Sequence, residues 1–427
     1  MFNWKRNLYA IWAAELLAIA GFNTSSPILP FYLQDIGVHN RDLLNFWVGI
    51  IQSAASISLA VIAPVWGRVA DNHGRKLMLL RAMYGGAGTI ALMGFVTAPW
   101  QLLVLKTIQG FLTGTVGAAT VLVAATVPES EAGYGMGLLQ TAVFVGGSIG
   151  PMIGGVIADL FGNRFTFFVT AFMLAAAGVI VTFFVQEEFV RPERTRAAFW
   201  SSVFPDFGIV FRSNVLLLLI LMGFAIQVGN AVVNPILPLY VEQLSTDKSL
   251  VATVTGLILG VGAFSSALSA AGVGKVSFRF GYARSVVLCM VGAFVFQIPQ
   301  AFVANTTQLF LLRLASGFFL GGTLPSVNAL IARSTPKSVQ GSVYGINTSV
   351  GSAGAAIGPI IGAAVAVGLG YSPTFLATAA VLAGGVVIAL IFARGEREAQ
   401  AASVESSTLA PGAMSGPDPR GNRAGRP

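Results

Sequence analysis

The sequence predicts an all-α polytopic membrane protein with twelve transmembrane helices arranged as two pseudo-symmetric six-helix halves. Three observations carry this reading. The 427 residues are 55% hydrophobic and only 10% charged, with a mean hydropathy of +0.77, a balance outside that of water-soluble domains. Apolar runs long enough to cross a hydrocarbon core of about 30 Å recur along the chain. The phrase PILPFYL, from Pro27 to Leu33, returns as PILPLYV, from Pro235 to Val241.

In chain order the expected spans lie near 8–33, 45–66, 77–97, 100–126, 136–158, 164–185, 214–240, 250–273, 284–303, 306–332, 342–368 and 373–393. They should be helices, because a backbone in lipid must satisfy its own hydrogen bonds and the alternation of a membrane barrel is missing. The first run continues past signal-peptide length without a small-residue cleavage site, so it is expected to be retained as a helix. Residues 1–185 form the first six-helix half and 214–393 the second. Between them, 186–213 is expected to be a polar cytoplasmic linker; its Phe199, Trp200, Phe204 and Phe207 suit either the membrane surface or an amphipathic connector. From 394 to 427 the chain is rich in Ala, Ser, Gly and Pro and is expected to be a disordered tail. The single Cys289 falls inside a span and reads as a buried structural thiol.

The repeated phrase keeps its register elsewhere, which marks a duplication. GPMIGG at Gly150 recurs as GPIIGA at Gly358, and Gly137 and Gly146 recur as Gly345 and Gly354. Lys106 with Gly110 corresponds to Arg313 with Gly317, and Gly67 with Gly74 to Gly274 with Gly281. Parallel repeats of this kind place a substrate site near the midplane between them. With a cytoplasmic N-terminus, 20 of the 25 Lys and Arg residues lie inside. The formal net charge of +8 therefore reads as a topology signal, with both termini cytoplasmic, and not as a nucleic-acid footprint.

These residues resemble the major facilitator superfamily, and within it the twelve-span drug:proton antiporters. The loop GRVADNHGRK is similar to the superfamily signature G-x-x-x-D-x-x-G-R-K/R at Gly67, Asp71, Gly74, Arg75 and Lys76. The fifth span fits the antiporter signature G-x8-G-x3-G-P-x2-G-G through Gly137, Gly146, Gly150, Pro151, Gly154 and Gly155. KTIQG at Lys106 resembles the family's R-x-x-Q-G with lysine in place of arginine, which keeps a cation but loses the bidentate fork. In the second half Phe278 stands where Asp71 stands in the first. The resemblance covers about residues 5 to 394 and implies the major facilitator fold, alternating access and proton exchange.

Several residues are expected to carry function. Asp71 sits where the positive N-terminal end of the eleventh span, near Ser342, would attract it, and Arg75 would pair with Glu129 or Glu131 to latch the outward-open state. The glycines of the fifth span fall on one face and let helices approach closely, while Pro151 bends the span. Glu15 is the one carboxylate deep in a span and is expected to carry the proton or hold a cationic substrate; the alternative is a bond to a neighbouring helix. Lys106 and Arg313 either line the cavity or snorkel outward, and Lys106 lies too far from Glu15 along the membrane normal to pair with it. Asn23, Gln109, Gln227, Asn230, Asn234 and Tyr240 complete the expected proton and substrate site, with Gln52, Gln140, Asn328 and Asn347 on the wall.

No phosphate-cradling loop, metal cluster or nucleophile–base set is present in the sequence, so an enzyme, an ATP-driven pump and a metal or organic cofactor are not expected. The expected function is secondary active transport in the inner or plasma membrane: proton-coupled efflux of lipophilic or cationic drugs, powered by the proton gradient. The alternative is a carrier for an anionic or neutral metabolite such as a sugar or organic acid, with Lys106 or Arg313 as counter-charge. The expected partners are a small-molecule substrate, protons and the lipid bilayer, with no nucleic acid and a monomeric state.

Overall fold

The computed structural model describes residues 4–187, 208–336 and 339–408. Helix α1 (Trp4–Thr24) is stopped by the first proline pair, which leaves a 3-10 turn at Ser26–Ile28 and the short α2 (Leu29–Asp35). Asn40 caps α3 (Arg41–His73), its side chain accepting from the Leu43 N–H. A single residue, Gly74 at φ +97°, turns α3 into α4 (Arg75–Met93), a conformation that favours glycine. The fourth run is two helices, α5 (Pro99–Leu112) and α6 (Thr115–Thr126). Then come α7 (Ala132–Phe161) and α8 (Asn163–Phe184).

After the linker run α9 (Gly208–Phe211), α10 (Asn214–Val233), α11 (Leu237–Leu244), α12 (Val251–Phe280) and α13 (Tyr282–Gln297). Helices α14 (Thr306–Ser334), α15 (Gln340–Leu369) and α16 (Ser372–Thr408) complete the chain. The last of these corrects the expected tail: helix continues from Arg394 to Thr408, because the stretch after Arg394 is rich in Ala, Glu and Arg, which favour helix, and free of proline. Residues 409–427, and 188–207 of the linker, lie outside the described residues.

Among the described residues, eleven helical segments are long and apolar enough to cross a membrane. Helix α4 is the difference from the twelve expected spans. Its Arg75, Lys76 and Arg81 lower its apolarity, yet it packs between α5 and α8 inside the bundle.

The segments on either side of the linker use the same contacts. Helix α1 packs on α7 and α8, α3 on α5, and α4 on α8; correspondingly α10 packs on α15 and α16, α12 on α14, and α13 on α16. Single bonds repeat too. The Tyr32 hydroxyl donates to the Met93 carbonyl (2.9 Å) with its ring 4.7 Å from Phe167, and the Tyr240 hydroxyl donates to the Gln300 carbonyl (3.2 Å) with its ring 5.0 Å from Phe375. Tyr240 is therefore core, 2% exposed, and not the cavity-wall residue the sequence suggested.

The two segments meet at the end of the bundle that holds Asp35. There a Cβ on Gly155 would strike the Ala252 carbonyl, one on Gly256 the Pro151 carbonyl, and one on Gly49 the Ala363 side chain and Pro359 carbonyl. Small residues permit this approach. The Ser148 hydroxyl donates to the Gly260 carbonyl (2.9 Å), and the Asp159 carboxylate accepts from the Thr253 N–H (2.7 Å) at the start of α12. Gln34 donates to Glu242 (3.4 Å), and each of these two directly follows one copy of the repeated phrase. At the opposite end, which holds Trp4, Cβ atoms on Gly117, Gly137 and Gly345 would meet open space.

Candidate functional site

The site is built on the interruption between α5 and α6. Thr113 is extended and Gly114 takes φ +113°, a left-handed conformation open to glycine at little cost. Breaking a helix inside the bundle strips carbonyls and N–H groups of their ladder partners, and side chains must replace them. Trp66 Nε1 donates to the Phe111 carbonyl (2.6 Å), and Arg81 Nη2 donates to the Thr113 carbonyl (3.2 Å). The Arg81 guanidinium carbon lies 3.8 Å from the centre of the Trp66 ring, a cation–π stack. On the far side of the break, Thr115 opens α6 and its hydroxyl donates to Glu15 Oε1 (2.9 Å). Glu15 is 0% exposed, and its second oxygen, Oε2, has no hydrogen-bond partner.

A cavity of about 680 Å³ runs from this break toward Arg75 at the Trp4 end. Phe22, Leu59, Trp66, Met78, Arg81 and Thr115 form part of its wall, and Thr348 and Ser352 of α15 face them. A smaller cavity of about 220 Å³ lies deeper, toward the closed end, among Asn23, Asn230, Asn234, Ser266, Arg313 and Ser316. Arg313 sits 5.8 Å above the Phe375 ring, with Nε and Nη2 buried and unpartnered.

The structure thus brings Asn23, Asn230, Asn234 and Arg313 together around the deeper cavity. Asn23 also donates to the Ile19 carbonyl (2.8 Å). Glu15 stands elsewhere, behind Thr115 and off the wall of either cavity, because its side chain points from α1 to the start of α6. Its partner is that threonine and not Lys106, which is half-buried on α5 and lines neither cavity. Gln109 is buried beside the break, its backbone carbonyl accepting from the Thr113 hydroxyl (2.8 Å). Gln227 packs against Gly354 of α15.

At the Trp4 end, the acid at Arg75 is Glu187, and it binds backbone. Its carboxylate accepts from the N–H groups of Arg75 (2.9 Å) and Lys76 (2.8 Å), capping α4. Lys76 Nζ donates to the Thr182 carbonyl (3.0 Å). The expected partner of Arg75 was Glu129 or Glu131; the side chains of Glu129, Asp71 and Ser342 and the surroundings of Gly67 lie outside what is described. The fifth-span glycines Gly146, Gly150 and Gly154 pack as expected against the α1 backbone at Leu16, Ala20 and Thr24, and Gly155 against Ala252, whereas a Cβ on Gly137 would meet open space. Pro151 is buried in α7, and its carbonyl meets Gly256.

Sequence reasoning missed Trp66, Arg81 and Thr115. Arg81 falls at the start of the expected span 77–97, where it reads as one more cation of the preceding loop, but α4 begins at Arg75 and carries Arg81 into the bundle. The signal available was LTGTVG at Leu112, where threonines flank a glycine inside an apolar run.

A bundle of helices long and apolar enough to cross a membrane, closed at one end around a cavity that reaches toward the other, is the architecture of a multi-pass transporter. The profile of the Major Facilitator Superfamily matches residues 11–306 and 221–413, and the chain belongs to that superfamily. It is 35% identical over 380 residues to the multidrug resistance protein MdtG of Proteus mirabilis (strain HI4320), covering 89% of this chain and 94% of that one. It is also 35% identical over 382 residues to the MdtG of Serratia proteamaculans (strain 568), covering 90% and 92%. Among solved structures, a point mutant of the nucleoside transporter NupG superposes with a TM-score of 0.75 at 14% identity over 92% of this chain and 99% of that one. A bacterial homolog of the human lysosomal transporter Spinster, inward-facing and unoccupied, gives 0.72 at 12% identity over 91% and 97%; both likenesses concern the fold.

Proposed function

We propose that the protein is a proton-coupled exporter of lipophilic small molecules, acting as a monomer in the cell membrane by alternating access. The observation that carries this reading is a sealed Asp35 end above a largely apolar cavity that reaches toward the Trp4 end. Relatives named multidrug resistance proteins support the substrate class. In this reading α4 is the twelfth span, and the matched contacts on either side of the linker are those of two six-helix halves, with Gln34 and Glu242 meeting on the axis that relates them. Lys5, Arg6, Arg75, Lys76 and Arg333 gather at the Trp4 end, which then faces the cytosol, so the conformation is inward-facing.

Glu15 is the proton site. A carboxyl sealed from water carries charge at high cost, so gain and loss of a proton changes what it asks of its neighbours. Its neighbour is the first residue of α6, and two residues earlier the Thr113 carbonyl holds Arg81 on the cavity wall. Protonation at Glu15 is thereby coupled to the cavity through the Thr113–Thr115 break. The proton gradient is the energy source, with no bound cofactor.

Proteoliposomes with the Trp4 end outward and an acidic lumen test this. They should accumulate a permanently charged lipophile, either 2-naphthalenesulfonate or 2-naphthylmethyltrimethylammonium, only while the gradient lasts. Accumulation of neither probe by folded protein would contradict the reading.

A further inference from the structure

We infer that Arg81 is the binding subsite for the anionic group of an amphipathic substrate whose apolar body lies along the Trp66 and Met78 wall. This rests on the exporter reading and adds the charge of what is exported. Among the described residues lining the larger cavity, the titratable side chains are Arg75 and Arg81, and none is a carboxylate. Two acids with described side chains have partners of their own: Glu15 accepts from Thr115, and Glu187 accepts from the backbone of Arg75 and Lys76.

Arg81 is also held like a recognition group. Its position is fixed by the stack on Trp66 and the bond to the Thr113 carbonyl, which together use one guanidinium face and one amino group. Nε and Nη1 remain, covered and without an acceptor. Two spare donors on a cation in apolar surroundings are unfavourable until an acceptor arrives. A carboxylate, sulfonate or phosphonate drawn to this guanidinium would supply an acceptor. The rest of the wall, with Phe22, Leu59 and Val121, accepts an apolar body without fixing its shape. A lipophilic cation, the expectation from Glu15 alone, would meet like charge on this wall.

The sequence of the second segment sharpens the assignment. Arg81 corresponds to Leu288, which is exposed on the outside of the bundle, so the guanidinium is a feature of one side of the cavity and not of the repeated framework.

The test is equilibrium binding of three probes of equal ring size to the full chain in phosphatidylcholine nanodiscs, where no anionic lipid competes: 2-naphthalenesulfonate, 2-naphthylmethyltrimethylammonium and neutral 2-methoxynaphthalene. The sulfonate should bind at least about tenfold more tightly than the cation, the scale of one charge-assisted contact. Arg81→Gln should collapse that ratio toward one, and Arg81→Lys should keep part of it. Because the readout is a ratio between probes, a general loss of folded protein does not produce it. Equal binding of anion and cation by the native chain overturns the inference and leaves the exporter reading intact. So does a ratio that survives Arg81→Gln, or one that is lost in Arg75→Gln alone. Binding of none of the three removes the cavity as a site, and the inference and the exporter reading fall together.

Discussion

The α5–α6 pair and α14 occupy corresponding places in the repeated sequence and do different work. Around Gly110 and Gly317 they are alike: each glycine lets its span lie against the backbone of a neighbour, Ala55 in one case and Gly262 in the other. A turn later they part. Gly114 adopts a left-handed conformation and splits its span into α5 and α6, while the corresponding Gly321 stays helical within α14 and packs on the backbone of Ser266. The groups that answer the break exist on one side only. Glu15, Trp66, Arg81 and Thr115 correspond to Gly223, Val273, Leu288 and Gly322. The repeated framework thus keeps its packing glycines at both places and carries these polar groups at one, where a broken helix offers carbonyl and N–H groups to side chains.

The largest effect expected from this asymmetry is at Glu15. Glu15→Gln should lower gradient-driven accumulation about 100-fold or more, the scale of losing an essential proton-transfer group. Gly223→Ala, its counterpart, should change accumulation less than about twofold, because a Cβ there meets only the flexible Asn347 side chain. Comparable losses at both positions would show that the two spans share the coupling.

Next comes the break itself. Gly114→Ala places a side chain at positive φ, costing about 1–2 kcal/mol, and should reduce transport about tenfold by favouring a continuous helix. Gly321→Ala would press a Cβ into the Ser266 backbone, and its effect should fall on thermal stability, lowering Tm by several degrees in a fluorescence melt. A reversed pattern, with Gly114→Ala affecting only Tm, would remove the break from the mechanism.

Thr115→Val should be milder. It removes the one hydroxyl donor to Glu15, worth about 0.5–1.5 kcal/mol, and transport should fall severalfold and recover in Thr115→Ser. Smallest of the set is Trp66→Phe, which retains a ring under Arg81 but loses the indole donor to the Phe111 carbonyl. A loss of at most about fivefold in sulfonate affinity is expected in the nanodisc assay.

Much of the framework was legible in the sequence because membrane burial imposes simple rules. Apolar length marked the helices, the register of the repeated PILP phrase and of the GP motifs marked which segments correspond, and the glycines marked a closely packed face, since packing on Gly150 or Gly358 tolerates no side chain. The site was legible in part. A buried carboxylate is conspicuous in a lipophilic chain, so Glu15 stood out, as did Arg313. Their surroundings were not, because facing depends on how helices rotate against one another. Glu15 shares a helical stripe with Phe22, yet only Phe22 reaches the cavity while the carboxyl turns toward Thr115. Arg81 was hidden by a different effect. Hydropathy assigns cations near a span's end to the adjoining loop, whereas the one-residue turn at Gly74 leaves almost no loop to hold them.

The most direct test separates exchange from coupling in Glu15→Gln. In proteoliposomes loaded with unlabelled substrate and no pH gradient, the variant should still exchange it for labelled substrate at near the native rate, since Arg81 and the cavity wall are intact. Under an acidic lumen it should fail to accumulate that substrate, while the native chain does. Gradient-driven accumulation that survives in Glu15→Gln at the native level would contradict the account and place the proton on another group.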